Sequence, residues 1–181
     1  MTAPARLSHR PLQGGLRRLL ALVLVVALLP VGSSFALAGC GDDTQASKTE
    51  IALRLGLAYG AFKRYIYTPA QAGQFKSGAE GRKTAIAKAA VAGAFTARML
   101  QKAKEEADQD PAFAAYSDKI VATIASLGGL TALLQGGTVN LSDITGGLGD
   151  LDSLVSAGEV LGIKPDLDQE ISAADLVNPL K

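Results

Sequence analysis

Thr49-Glu50-Ile51-Ala52-Leu53-Arg54-Leu55-Gly56-Leu57-Ala58-Tyr59-Gly60-Ala61-Phe62-Lys63-Arg64-Tyr65-Ile66-Tyr67 decides the fold class. Ile51, Leu55, Tyr59, Phe62 and Ile66 recur every three or four residues, the spacing that puts side chains on one face of an α-helix, and Leu53 and Leu57 widen that face. Ser47-Lys48-Thr49-Glu50 has capping-box spacing, so the helix is expected to start near Thr49. Thr68-Pro69 is expected to end it, because a proline disfavours helical geometry in the residue before it.

Downstream, Ser77-Gly78-Ala79-Glu80 repeats the capping spacing ahead of an alanine-rich segment from Arg82 to about Ala107, whose residues favour helix. Ile86, Ala90, Gly93, Ala97 and Leu100 form one face of it, and Val91, Phe95 and Met99 a neighbouring one. Asp110 followed by Pro111 is a helix start, and the third helix is expected to run to about Leu127, where Gly128-Gly129 would stop it. Phe113, Tyr116, Ile120, Val121 and Ile124 are its expected buried residues. From Gly128 onward, Leu141, Ile144, Leu148, Leu151 and Val155 keep helical spacing, but Gly146, Gly147 and Gly149 interrupt it at about 1 kcal/mol each. The fold expected is all-α: a small bundle of three main helices plus short glycine-rich C-terminal helices.

Ala52, Gly56 and Gly60 recur every four residues on the first helix, as do Ala89, Gly93 and Ala97 on the second. In membranes that spacing lets helices dimerise. With charges close by, it predicts close backbone packing inside an antiparallel bundle.

Upstream, Arg6, Arg10, Arg17 and Arg18 precede the apolar run Leu19 to Leu29, and Pro30, Gly32, Ser33 and Ser34 separate that run from Leu37-Ala38-Gly39-Cys40. This is the order of a secretory signal. The tetrapeptide resembles the lipobox of bacterial lipoproteins, which implies that Cys40 receives a lipid and becomes the first residue of the mature chain. The expected organisation is a removed signal over residues 1–39, a lipidated Cys40 with a flexible tether to residue 47, and one helical domain over residues 48–181. Two rivals place the domain outside the cytoplasm as well. Ala36-Leu37-Ala38 fits ordinary signal cleavage, which would release a soluble protein, and the uncharged stretch from Leu19 to Gly41, at roughly 20 residues, could remain as a transmembrane anchor.

The one histidine, His9, lies within the expected signal, and after Cys40 there is no His, no Trp and no further Cys. Ser-His-Asp and Cys-His nucleophiles, histidine-ligated metals and thiolate clusters are thereby excluded from the mature chain. No Walker loop or dinucleotide fingerprint is present. No metal or cofactor is expected and the protein is not read as an enzyme. The acids at Asp150 and Asp152, and at Asp166, Asp168 and Glu170, lack the glycine and glutamate of a calcium loop, and are expected to cap helices and hold solvent.

From Lys48 to Lys104 eleven basic residues face only Glu50 and Glu80, whereas from Glu105 onward thirteen acids face Lys119, Lys164 and Lys181. One reading is self-complementation, with the acidic part folded over the basic helices. The other uses the tether: basic residues near an anionic membrane face each add about 1 kcal/mol of attraction. Lys63, Arg64, Tyr67 and Lys76 are the surface candidates, for a membrane or for a ligand that stacks on aromatic rings. The expected partners are the membrane through Cys40, and envelope proteins or glycans. Nucleic acid is not expected for a tethered chain whose mature part carries fourteen basic residues against seventeen acidic ones.

The lipobox, the Gly41-Asp42-Asp43 start and the alanine-rich domain together resemble lipoproteins of high-GC Gram-positive bacteria. Ala58-Tyr59-Gly60-Ala61-Phe62-Lys63-Arg64-Tyr65-Ile66-Tyr67-Thr68-Pro69 is similar to a segment of their uncharacterised small secreted helical proteins, and that resemblance implies no activity. Two other classes follow from the residues. A hydrolase of cell-wall or lipid substrates would need two of Glu80, Glu105, Glu106, Asp108 and Asp118 to converge in a cleft. An apolar-ligand carrier would need a sizeable apolar cavity, with the glycine-rich tail as a movable cover.

Overall fold

A computed structural model describes residues 43–177, and the signal segment, the lipobox and Cys40 lie outside the described residues. The domain is all-α, with no strand among the described residues. Its first helix, α1 (Asp43–Phe62), begins before Thr49, inside the stretch expected to be a tether. Ser47 and Glu50 are therefore helix-interior residues and form no capping box. Thr49 donates its hydroxyl to the Gln45 carbonyl at 2.9 Å, and Glu50 pairs with Arg54 at 3.4 Å.

The helix does not stop at Thr68-Pro69. It widens into a π-turn over Lys63–Tyr67 and resumes as α2 (Thr68–Gln71). Proline has no N–H to give and its ring crowds the carbonyl four residues back, so a regular α-helix cannot carry Pro69 here. The π-turn shifts the register one residue earlier: the Thr68 N–H bonds the Lys63 carbonyl, and the Thr68 hydroxyl donates to the same oxygen at 2.9 Å.

The second long helix, α3 (Arg82–Ala107), packs along α1, with Thr96 donating its buried hydroxyl to the Ala58 carbonyl. The expected Ser77–Glu80 capping box does not form. The chain enters α3 through Gly78 and Gly81, both at positive φ, and no side chain caps the start. Asp110 does cap, accepting from the Ala112 N–H at 2.9 Å, and a short 3-10 turn (Pro111–Phe113) leads into α4 (Ala114–Gly136).

Two expectations about glycine are overturned. Gly128-Gly129 does not stop the third helix, which continues to Gly136 and ends at Gly137, where φ is +69° and the Thr138 N–H returns to the Leu133 carbonyl. Packing holds the extension helical: Leu130 and Leu134 are buried, and Thr131 lies against Gly93 of α3, where a Cβ would come within 2.7 Å of its hydroxyl. Arg82 clamps this end by donating to the carbonyls of Phe75 and Gly137, placing a cation where the helix dipole is negative.

The glycine-rich stretch after it is not a set of short helices but one of twenty residues, α5 (Leu141–Val160). Asn140 and Asp143 form a capping box at its start. Gly147 leaves room for Phe62, Leu127 and Leu130, and Gly158 for Tyr116, whose hydroxyl donates to the Leu154 carbonyl. The apolar stripe is otherwise as expected, with Ile51, Leu55 and Phe62 of α1 and Ile66 of the π-turn almost fully enclosed. Val121, expected to be buried, is exposed on α4. The span Pro111–Gly136 is apolar and long enough to cross a membrane by length and composition, and here it forms one wall of the bundle, packed on α3 and α5.

After α5 the chain turns at Gly162, buries Ile163, and runs without regular structure to a short last helix, α6 (Ala173–Val177). This run lies on α1. A Cβ at Gly56 would stand 2.5 Å from the Asp166 carbonyl oxygen, and one at Gly60 would stand 2.8 Å from that of Gln169. The small-residue stripe of α1 thus admits an irregular segment, where a second helix was expected.

Candidate functional site

The π-turn exposes Lys63 and Arg64 side by side at the end of α1. Lys63 sits over the Tyr59 ring with its ammonium 5.9 Å from the centroid, and Arg64 over Tyr65 at 5.8 Å, distances at which a cation is attracted to the ring face. Tyr67 accepts a hydrogen bond from the Gln71 amide at 2.7 Å. Across from them runs the segment Leu167-Asp168-Gln169-Glu170, and the cleft between has a volume of about 230 Å³, with Gly60 and Thr68 completing its walls. Tyr65 ties the two sides together by donating its hydroxyl to the Ile171 carbonyl at 2.9 Å.

Of the four surface residues read from the sequence, Lys63 and Arg64 share this cleft and Tyr67 belongs to the same π-turn. Lys76 lies elsewhere, in a second cleft with Phe75, Gln71, Val139, Leu141 and Ile144. Sequence reasoning did not find Asp168, Gln169 and Glu170. Asp168 and Glu170 were read only as capping acids; the signals for their place here were the charge split, which puts acidic chain over basic helix, and the pair Gly56 and Gly60, which announces a close backbone approach without saying whose.

The acidic run does cross the basic helix, yet direct ion pairing does not hold it there. Among the described residues the ion pairs are Arg54 with Glu50 and Lys104 with Asp108, each local in sequence. Bonds from Lys104 and Ser117 hold the Asp108 carboxyl below the usual carboxylate range.

Of the carboxylates considered for hydrolysis, Glu105, Glu106 and Asp108 lie near the end of α3, where Ser117, next to Asp118, donates to Asp108, and only Glu80 stands apart. Glu80 precedes α3 and Glu105 lies near its far end, about 37 Å away at 1.5 Å per residue. The clefts lined by Lys63, by Lys76, by Met99 and by Asp150 contain none of the five. Those clefts open at the surface, while between the helices Gly93, Gly147 and Gly158 lie against side chains with no room for a methyl group to spare. No three acidic side chains converge on a metal-sized site among the described residues.

Burial first, and then the nearby Asp152, Tyr67 and Asp168 side chains, push the Tyr59 hydroxyl up to about 12. An unfolded tyrosine ionises near 10.0, so the unfolded chain releases this proton first, and the contribution of Tyr59 to stability is full below pH 10 and lost as pH rises towards 12. An ultraviolet titration is therefore expected to show a tyrosinate component near pH 12 that Tyr59→Phe removes. Its persistence in that variant would show that Tyr59 is not its source.

Comparison of the chain with protein-family models, curated proteins and solved structures finds no match in any of the three.

Proposed function

We propose that the protein is a lipoprotein anchored outside the cytoplasm, whose helical domain binds or scaffolds partners at the cell envelope. The observation that carries this reading is Leu37-Ala38-Gly39-Cys40 placed directly after an arginine-led apolar run, with Cys40 the single cysteine of the chain. A thiol is what lipid transfer requires, because the thiolate is the nucleophile. Only Gly41 and Asp42 separate Cys40 from the helix that starts at Asp43, and the domain builds its core without a thiol.

Lys63 and Arg64 lie twenty residues along α1 from Asp43, about 30 Å at 1.5 Å per residue. Attraction between exposed charges fades over a Debye length of about 8–10 Å. Where α1 stands away from the membrane that holds Cys40, its basic end lies beyond the reach of the membrane's surface charge and is free to meet a partner.

Growth with an alkyne-bearing fatty acid tests the anchor. The wild-type chain is expected to take up label and Cys40→Ala to take up none, and equal labelling of the two would remove Cys40 from its role.

A further inference from the structure

The segment after α5 is held to the bundle in an unusual way. From Lys164 to Ser172 it has no regular structure, and Lys164, Asp166, Asp168 and Glu170 all face solvent. Its hold on the helices includes the Asp166 and Gln169 carbonyls resting on Gly56 and Gly60, the Tyr65 hydroxyl on the Ile171 carbonyl, the partly buried Leu167 and the buried side chains of Ile171 and Leu176. All of these are main-chain or aliphatic contacts. One main-chain carbonyl is thus hydrogen-bonded by the helices and two others pass close over glycines, while aliphatic side chains anchor the segment, a manner in which an extended peptide can lie in a groove.

Two further features indicate what such a peptide would be. Pro165 to Val177 contains four acids and no base, and it lies on a helix that presents Lys63 and Arg64, so the charges are complementary without being paired. The segment also underfills its seat. Beside Gly60, Lys63 and Arg64 a cleft of about 230 Å³ remains, and beside Leu57, Phe95 and Met99 another of about 200 Å³. An occupant with an acid reaching Lys63 and Arg64 and a larger aliphatic group against Met99 would gain contacts that this segment does not make.

We propose that the groove between α1 and α3 is a docking surface for an extended, acidic segment of a partner protein with an aliphatic anchor residue, and that residues 164–177 cover it as a displaceable strap. The proposal rests on the binding role given to the helical domain above, but not on the lipid at Cys40. A tethered cover competes at an effective concentration of order millimolar, so a partner binds the covered groove more weakly by the fraction of time it is open.

The test uses a fluorescent peptide with the sequence of residues 164–177 and the intact chain as isolated from cells, with hydrogen exchange read over the same residues. Ile171→Ala, which removes the anchor, and Asp168→Lys with Glu170→Lys, which alter only exposed side chains, are each expected to speed exchange across the strap. Both are expected to tighten peptide binding at least tenfold over wild type. Adding Gly60→Ala should abolish that binding, since the new methyl stands where the peptide carbonyl must lie.

A strap that is released while peptide binding stays unchanged would overturn the proposal. So would a strap that stays protected in both variants, or a bundle that unfolds when Ile171 is cut back, because the segment would then be part of the core. Loss of the lipid leaves every one of these readings in place, so failure of the anchor and failure of the groove are told apart.

Discussion

Phe62→Ala is expected to lower the unfolding free energy by about 3–5 kcal/mol, the range for cutting a large aromatic side chain out of a core. Phe62 is 1 % exposed and stands where α1 passes into the π-turn. The tip of its ring meets α5 at Gly147, together with Leu127 and Leu130 of α4, so one side chain joins three helices. Urea unfolding followed by circular dichroism measures it, as a lower midpoint at constant slope. A second substitution makes the contact specific. A Cβ at Gly147 would lie 3.0–3.1 Å from Leu130, Leu127 and Phe62, so Gly147→Ala is crowded in wild type and relieved beside Phe62→Leu. The pair should show a coupling of about 0.5–3 kcal/mol, and simple additivity would contradict the contact.

The largest expected gain comes from glycines of the opposite kind. Gly128, Gly129, Gly146 and Gly149 lie within α4 and α5, none has positive φ, and nothing stands within 4 Å of a Cβ built on any of them. Each carries the helix penalty of glycine with no packing in return. Replacing all four by alanine should therefore add about 3–4 kcal/mol, at 0.8–1.0 each, and raise the melting temperature by about 10 °C. Gly158→Ala should act in the other direction by about 1–3 kcal/mol, because its methyl would meet the Tyr116 hydroxyl at 2.7 Å. A fourfold variant no more stable than wild type would mean that α4 and α5 do not continue through these residues.

These glycines also mark where sequence reasoning stopped. The stripe from Ile51 to Ile66 and the Asp110-Pro111 start were legible because period and capping are local properties, and α1 and the turn into α4 follow them. Gly128-Gly129 misled because local propensity favours a stop there, while burial of Leu130 and Leu134 and the fit of Thr131 on Gly93 outweigh it. Gly147 misled for the same reason, since what fills the space above it comes from α1 and α4. At the candidate site, Lys63 and Arg64 stand out in the sequence and are exposed, whereas Tyr67, also read as a surface residue, is half-buried against the core. The groove they border was hidden, because its other side, Leu167 to Glu170, is irregular chain more than a hundred residues further on.

Lipidation of Cys40 is tested most directly by the intact mass of the chain taken from fractionated cells. The expected result is a wild-type chain in the membrane fraction that begins at Cys40 and carries the added mass of a diacylglyceryl group, with both the mass and the membrane association lost in Cys40→Ala. A lipid-free chain that begins at Gly39, or an uncut chain that still carries residues 1–39, would contradict it.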